Sequence, residues 1–341
     1  MKKSMTERQK ESCEKREDSV NGHSAGHHED RVQAAINSDA AAKSALVASW
    51  QRSSNLHQLD PAERKSPKRL TGAELIRARQ RIEPLQMAAQ PSLDRLYLAV
   101  GGVGCCVLLA DRDGVPVDRR GAPSDDETFE DWGLWTGSLW SEESEGTNGI
   151  GTCLAERRAL TIHRDQHFFA RNTLLSCTTA PIYDHEGNLV AALDVSSCRA
   201  DLTEAFTNLI AVAVADAVRR IEAENFRRAF QSARVLLLPE TSSGPGGLIA
   251  VDSDDLVVGA TRSARIALGI SQESLTRSLP AMDVLSGAEG VEGSLGRAER
   301  AALQRALART SGNISAAAEA LGISRATLHR KLKRFELGRT H

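Results

Sequence analysis

Aromatic residues make up only 4% of the 341-residue chain, with four Trp, seven Phe and two Tyr, so few large side chains are available to any core. No apolar run approaches the ~18 residues that a membrane-spanning helix needs, which excludes a helical membrane protein. The stretch from Met1 to Asp18 is polar and charged and has no signal-peptide core, so a cytoplasmic location is expected. Six cysteines are scattered from Cys13 to Cys198 without C-x-x-C spacing. That pattern excludes a compact disulfide scaffold and is read as reduced thiols. There is no G-x-x-x-x-G-K-[ST] loop, so no phosphate-loop ATPase is expected.

A one-sided charge excess is also missing overall, since the formal net charge is −2. Its distribution is uneven, however. From Arg297 to His341 ten Lys/Arg face three Asp/Glu, which makes that segment +7 and the remainder −9. A basic end on an acidic body points to double-stranded nucleic acid as a partner at that end.

Along the chain, residues 1–30 are polar and include a cluster of His23, His27 and His28. They bury too little apolar surface to offset ordering entropy and are expected to be a disordered tail. The histidines have no second anchored ligand group, so no metal is assigned. Residues 31–95 read as a helical leader with breaks at Pro61, Pro67 and Pro91. From about 96 to 200 the pattern turns to strands.

Val107–Ala110, Asp111–Gly114 and Val115–Val117 form an apolar run, an acidic turn ending in glycine, and a returning run. Ala180–Tyr183, Asp184–Gly187 and Asn188–Leu193 repeat the pattern. Leu248–Val251, Asp252–Asp255 and Leu256–Val258 give a third, weaker copy with Asp255 in the glycine position. Each predicts a hairpin, because Asp bonds the local backbone and Gly supplies positive φ. Between them Leu202–Phe230 predicts one long helix, with Leu209, Val212, Ala213, Ala217 and Ile221 at helical spacing. It can serve as a dimer stalk or pack on its own sheet. Thr241–Gly247 reads as a linker.

At the basic end, Arg297–Thr310 predicts an amphipathic helix closed by Ser311 and Gly312. A second helix spans Ile314–Leu321, Gly322 turns the chain, and Ser324 caps a third helix through Phe335. This is the spacing of a helix-turn-helix. The third helix is expected to bury Leu328 and Leu332. Arg325, Thr327, His329, Arg330, Lys331, Lys333 and Arg334 are expected outside, early residues toward base edges and later cations toward phosphates.

The segment Gly312–Leu332 resembles the Fis-type helix-turn-helix. The resemblance implies dimerisation through the helices before the motif and places Ser324, Arg325 and Thr327 toward the groove. Asn313, Ser315, Arg330 and Lys331 match positions near the phosphates, and His329 stands where the family usually has Arg or Lys. Upstream, Glu145-Gly146-Thr147-Asn148-Gly149-Ile150-Gly151-Thr152, His167-Phe168-Phe169 and Ala180-Pro181-Ile182 resemble the GAF domain of acetoin-catabolism-type activators. Ser49-Trp50-Gln51-Arg52-Ser53 and Leu59-Asp60-Pro61 resemble that family's leader, and the third hairpin resembles its short PAS-like segment.

The resemblance implies an α+β multidomain chain. Its expected parts are a disordered tail (1–30), a helical leader (31–95) and a GAF sensory domain of antiparallel sheet with helices (96–225). A helix end and linker (226–247), a PAS-like segment (248–290) and an all-α Fis-type domain (295–338) follow. Those activators carry a central AAA+ motor that remodels sigma-N polymerase, and the missing phosphate loop implies that this chain cannot do so.

The expected function is a dimeric DNA-binding regulator, not an enzyme, with a small-molecule effector at the GAF domain. No cofactor is named and no ligand-binding residue is assigned. Two alternatives stand beside it: a nucleoid-architectural protein, or a thiol-dependent GAF enzyme using a cysteine of lowered pKa.

Overall fold

The computed structural model describes residues 27–199, 203–239, 246–276, 279–285, 294–310, 312–335 and 337. Most of the expected tail, including His23, lies outside the described residues, as do 241–245 of the expected linker and Ser311. Two units divide the chain, Met1–Leu279 and Pro280–His341.

Residues 27–30 depart from the expected tail, because they open a helix, α1 (27–36). Its Val32 and Ile36 pack with Val47 and Trp50 of α2 (Ala45–Gln51) against Phe168 and Phe169. A tertiary contact more than 130 residues away supplies the apolar surface that local composition lacks. After a π-helical turn at Arg52–Leu56, the chain runs without helix past Pro61 and Pro67 to α3 (Gly72–Arg81), which Thr71 and Glu74 cap reciprocally.

Pro91 does not break the leader. It lies inside α4 (Glu83–Val100), whose buried Leu85, Ala88, Ala89, Leu93, Leu96 and Val100 continue at helical spacing on both sides of it. Pro91 itself is exposed, so burial of the opposite face offsets the lost backbone hydrogen bond.

β1 (Cys106–Asp111) and β2 (Pro116–Arg120) form the first hairpin. Asp111 Oδ1 accepts the N–H groups of Asp113 and Val115, each at 3.0 Å, and Gly114 takes φ +83°. Short helices α5 (Asp126–Asp131), α6 (Glu142–Glu145) and α7 (Gly149–Glu156) precede β3 (Leu160–His163). β4 (Ser176–Tyr183) and β5 (Leu189–Ser197) repeat the turn chemistry, with Asp184 Oδ1 accepting from Glu186 and Asn188 and Gly187 at φ +83°. The strands make an antiparallel sheet in the order β2-β1-β5-β4-β3.

Alternation along the strands divides the side chains between two cores. Val107, Leu109, Ala180, Ile182, Leu193 and Val195 pack on α4 and α8 (Glu204–Ala229). Cys106, Leu108, Ala110 and Cys177 face the other way, toward Phe129, Leu134, Trp140 and Ile150. The long helix therefore lies on its own sheet, through Ile210, Val214, Ala217, Val218 and Ile221. Leu209 and Val212, read as part of its apolar stripe, are exposed.

The expected linker contains a strand that sequence reading missed. β6 (Arg234–Leu237) pairs with β7 (Leu248–Val251), and β7 with β8 (Leu256–Ala260), in antiparallel fashion. The β7–β8 turn keeps the aspartate device, since Asp252 Oδ1 accepts from Asp254 and Leu256, and Asp255 adopts φ +61° without a glycine. α9 (Arg262–Leu268) and α10 (Gln272–Thr276) follow, and the two-residue β9 (Leu279–Pro280) falls on the division between the units. The second unit holds α11 (Ala281–Leu285) and three helices: α12 (Ser294–Arg309), α13 (Ile314–Ala320) and α14 (Arg325–Arg334).

Candidate nucleic-acid interface

The small core of the second unit is Leu303 and Ala306 of α12, Ala317 and Ala318 of α13, and Leu328 and Leu332 of α14. The alanines let α13 approach its neighbours closely. Gly312 and Gly322 turn the chain at φ +83° and +63°, a region that only glycine enters without strain. Asn313 Oδ1 accepts the N–H groups of Ser315 (3.0 Å) and Ala316 (3.2 Å), and Ser324 Oγ accepts that of Thr327 (3.1 Å). Both expected caps are thereby occupied by their own helices. The Ser324 and Thr327 hydroxyls also bond each other at 2.9 Å.

Arg330 lies opposite the Leu328/Leu332 seam, roughly 200° and 160° around the helix from those two residues. Arg325, His329, Arg330 and Lys333 are exposed. Among the described residues Arg325, Arg330 and Lys333 carry no ion pair. Lys331 differs from its expected place outside: it is half-buried and pairs with Glu299 of α12. The Lys331 hydrogen bond holds the Glu299 carboxyl below its ordinary pKa. Arg334 stacks over Phe335 at 5.3 Å, and one of its nitrogens lies 3.8 Å from Glu299. Ser315, the second residue of α13, is exposed. Arg325, His329, Arg330, Lys333 and Arg334 are thus exposed on α14, whereas Asn313 and Ser315 belong to the start of α13, Asn313 and Ser324 serve as caps, and Lys331 is held in an ion pair.

In the first unit, the stretch Ser49–Ser53 that resembles the leader meets the stretch Glu145–Thr152 that resembles the GAF domain. Ser49 Oγ donates to Glu142 (2.5 Å) and bonds Thr147 (2.7 Å), while Arg52 reaches Glu142 and Glu156, each at 2.9 Å. Trp50 Nε1 donates to the Gln166 carbonyl (2.9 Å). Asn148 caps α7 through Gly151 N–H (2.8 Å), and Gly149 packs so tightly on Cys177 that a Cβ there would lie 2.5 Å from it. The glycine-rich stretch therefore docks the leader and α7 onto the sheet. A cavity of about 160 Å³ remains beside that seam, lined in part by Ser49, Thr147, Thr152 and Thr161.

Burial pushes the Cys105 thiol up to about 11 and those of Cys106, Cys153 and Cys177 well above the ordinary value. Cys177 Sγ lies 3.5 Å from His167 Nε2. His167 donates from Nδ1 to the Arg164 carbonyl (2.9 Å), and burial lowers its pKa to about 4, so the ring stays neutral. A neutral imidazole accepting from a neutral thiol is a structural contact, whereas a nucleophilic cysteine needs a stabilised thiolate. Asp194 is fully buried on the same sheet face, bonded by Thr179 (2.5 Å) and Ser196 (2.6 Å), and burial raises its pKa to about 6. No helix among the described residues is long and apolar enough to cross a membrane.

Residues 27–222 match the MimR N-terminal domain, and residues 294–335 match the bacterial regulatory protein Fis family. The acetoin catabolism regulatory protein of Cupriavidus necator is 35% identical over 239 residues, covering 69% of this chain and 36% of that protein. The propane 2-monooxygenase operon transcriptional activator MimR of Mycolicibacterium smegmatis is 30% identical over 246 residues, covering 71% and 40%. The chain thus spans well under half the length of these relatives. Among solved structures, the E. coli DhaR(N)–DhaL complex contains a similar chain, with a TM-score of 0.47 and 17% identity over 66% of this chain and 76% of that one. With its N-terminal match covering more than half of its residues, the chain belongs to the MimR N-terminal-domain family, and it carries a Fis-type helix-turn-helix at its other end.

Proposed function

We propose that the protein is a cytoplasmic, sequence-specific transcriptional regulator that binds double-stranded DNA as a homodimer and responds to a small-molecule effector through its N-terminal unit. The observation that carries this reading is the surface of α14, where Arg325, Arg330 and Lys333 have no ion pair among the described residues and stand outside a buried Leu328/Leu332 seam. An arginine at the start of such a helix can reach guanine edges bidentately, and later cations neutralise phosphates. Asn313, Ser315, Ser324, Thr327, His329 and Arg334 complete the proposed contact surface, which Lys331 joins when its pair with Glu299 opens. Two copies must set their helices about 34–36 Å apart to enter successive major grooves.

The relatives' printed names, a regulatory protein and an operon activator, support the regulatory reading. We further propose that the protein hydrolyses no ATP, because its sequence lacks the phosphate loop. The raised cysteine pKa values favour regulation over thiol catalysis.

The test is selection of bound sequences from random DNA by the intact protein, with sedimentation of the complex and titration with metabolites. A two-fold symmetric motif bound by two copies, with affinity that changes on effector binding, is expected. Uniform affinity for all sequences would favour an architectural role instead, and DNA-stimulated ATP hydrolysis by the pure protein would overturn the motor-less reading.

A further inference from the structure

Arg119 on β2 is buried with half of its hydrogen-bonding edge unused. Its side chain is 10% exposed, and Nη1 donates to Asp126 at 2.7 Å. Nε and Nη2 are buried without a hydrogen-bond partner among the described residues. The guanidinium carbon lies 4.2 Å from the Trp135 ring centroid and 5.5 Å from that of Phe129. Pairing with Leu108 in the β1–β2 ladder puts Arg119 on the sheet face turned away from α4 and α8, beside the Cys106/Leu108 core.

Two features make this more than an anchoring ion pair. Asp126 already holds the segment through Nη1, so anchoring needs no further donor. Buried charged donors are normally satisfied, and each one left unpaired raises the free energy of the state that contains it. The unused pair, Nε and Nη2, forms the side-on edge of the guanidinium, whose two parallel N–H bonds match the two oxygens of a carboxylate. The Trp135 and Phe129 rings pack against the guanidinium. Asp126, Phe129 and Trp135 all belong to the one segment between β2 and α6, so a single displacement of that segment would expose the fork. Asp126, the partner of Nη1, is 41% exposed.

We propose that Arg119 is the anchor of a site for a small monocarboxylate, bound side-on to Nε and Nη2 beneath Trp135. A single negative charge is specified because Asp126 already shares the cation. This inference rests on the reading of the N-terminal unit as a sensor and gives that sensor a ligand chemistry.

The experiment titrates the intact protein with acetate, propionate and pyruvate, and with acetamide and propionamide as uncharged counterparts, at constant ionic strength. Melting temperature and tryptophan fluorescence are read together. The carboxylates are expected to raise the melting temperature saturably and to change the fluorescence, and the amides to do neither. Arg119→Lys keeps the charge but loses the fork, and should weaken binding roughly tenfold or more, the equivalent of one charge-assisted hydrogen bond.

Gly121→Ala provides a second route that leaves Arg119 in place. A Cβ at 121 would lie 2.3 Å from Nη2, so this variant should displace the fork and lose the response even if Arg119→Lys fails to fold. Trp135→Phe should abolish the fluorescence change while keeping the melting shift. An equal response to chloride or to the amides, no saturable response to any of the three acids, or an unchanged response in Gly121→Ala overturns the proposal. Carboxylates without effect beside another metabolite that shifts operator affinity would remove the Arg119 site alone. No metabolite shifting operator affinity would remove the sensor reading.

Discussion

Lys331 of α14 is paired with Glu299 of α12, so the helix proposed to enter the groove is tied to the helix that supports it. The pair costs the proposed DNA surface one free cation and orients α14. Glu299→Gln should therefore release Lys331 to the phosphates, raising DNA affinity and steepening the log-salt slope by about one. Anisotropy titrations across salt concentrations check this. A slope unchanged in Glu299→Gln and lowered by one in Lys331→Ala would mean that DNA already displaces the pair.

Arg325→Ala and Arg330→Ala should fail in different ways. Loss of Arg325 is expected to cost about 1–3 kcal/mol on the preferred sequence and to relax selectivity. Loss of Arg330, opposite the buried seam, should weaken specific and random DNA alike and lower the salt slope by about one. Competition between selected and random duplexes separates the two, and identical losses on both for Arg325→Ala would end its assignment to a base.

Asp194 gives the first unit a pH dependence. Its folded pKa, about 6, lies above its ordinary value because burial disfavours the carboxylate. Its contribution is therefore fully present below about pH 4 and is lost as pH rises through about 6. Asp194→Asn keeps the shape and removes the charge. The variant should match the wild type near pH 4 and exceed it by on the order of 2–3 kcal/mol above pH 7. Urea unfolding at a series of pH values measures the difference, and a constant offset across pH would show that Asp194 does not titrate in this window.

Pro91→Ala should stabilise the protein. The proline interrupts the hydrogen-bond ladder of α4 from an exposed position, while the residues around it supply the buried face. Restoring the N–H is expected to gain about 1–3 kcal/mol. A lower urea midpoint in the variant would instead show that the backbone geometry set by Pro91 is needed for packing against β1.

Short-range chemistry was legible in the residues themselves. The aspartates that accept backbone N–H groups at all three hairpin turns, the positive-φ glycines at 114, 187, 312 and 322, and the Ser324 cap act within a few residues of one another. The charge asymmetry toward the C-terminal end needs no coordinates either.

Tertiary structure alone decided the rest, because those outcomes depend on partners far along the chain. His28 and Val32 belong to a helix only because Phe168 and Phe169 receive them, and Pro91 sits in a helix because the sheet covers its opposite face. β6 is four residues long, and it is a strand because β7 lies beside it. Which apolar residues of α8 are core and which are exposed was set by the rotation of the helix on the sheet, a quantity that helical spacing leaves free. Lys331 and Arg119 show the same limit for charges: the sequence determined that each is a cation, and the fold determined that Lys331 pairs with Glu299 and that Arg119 pairs with Asp126 through Nη1 alone among the described residues.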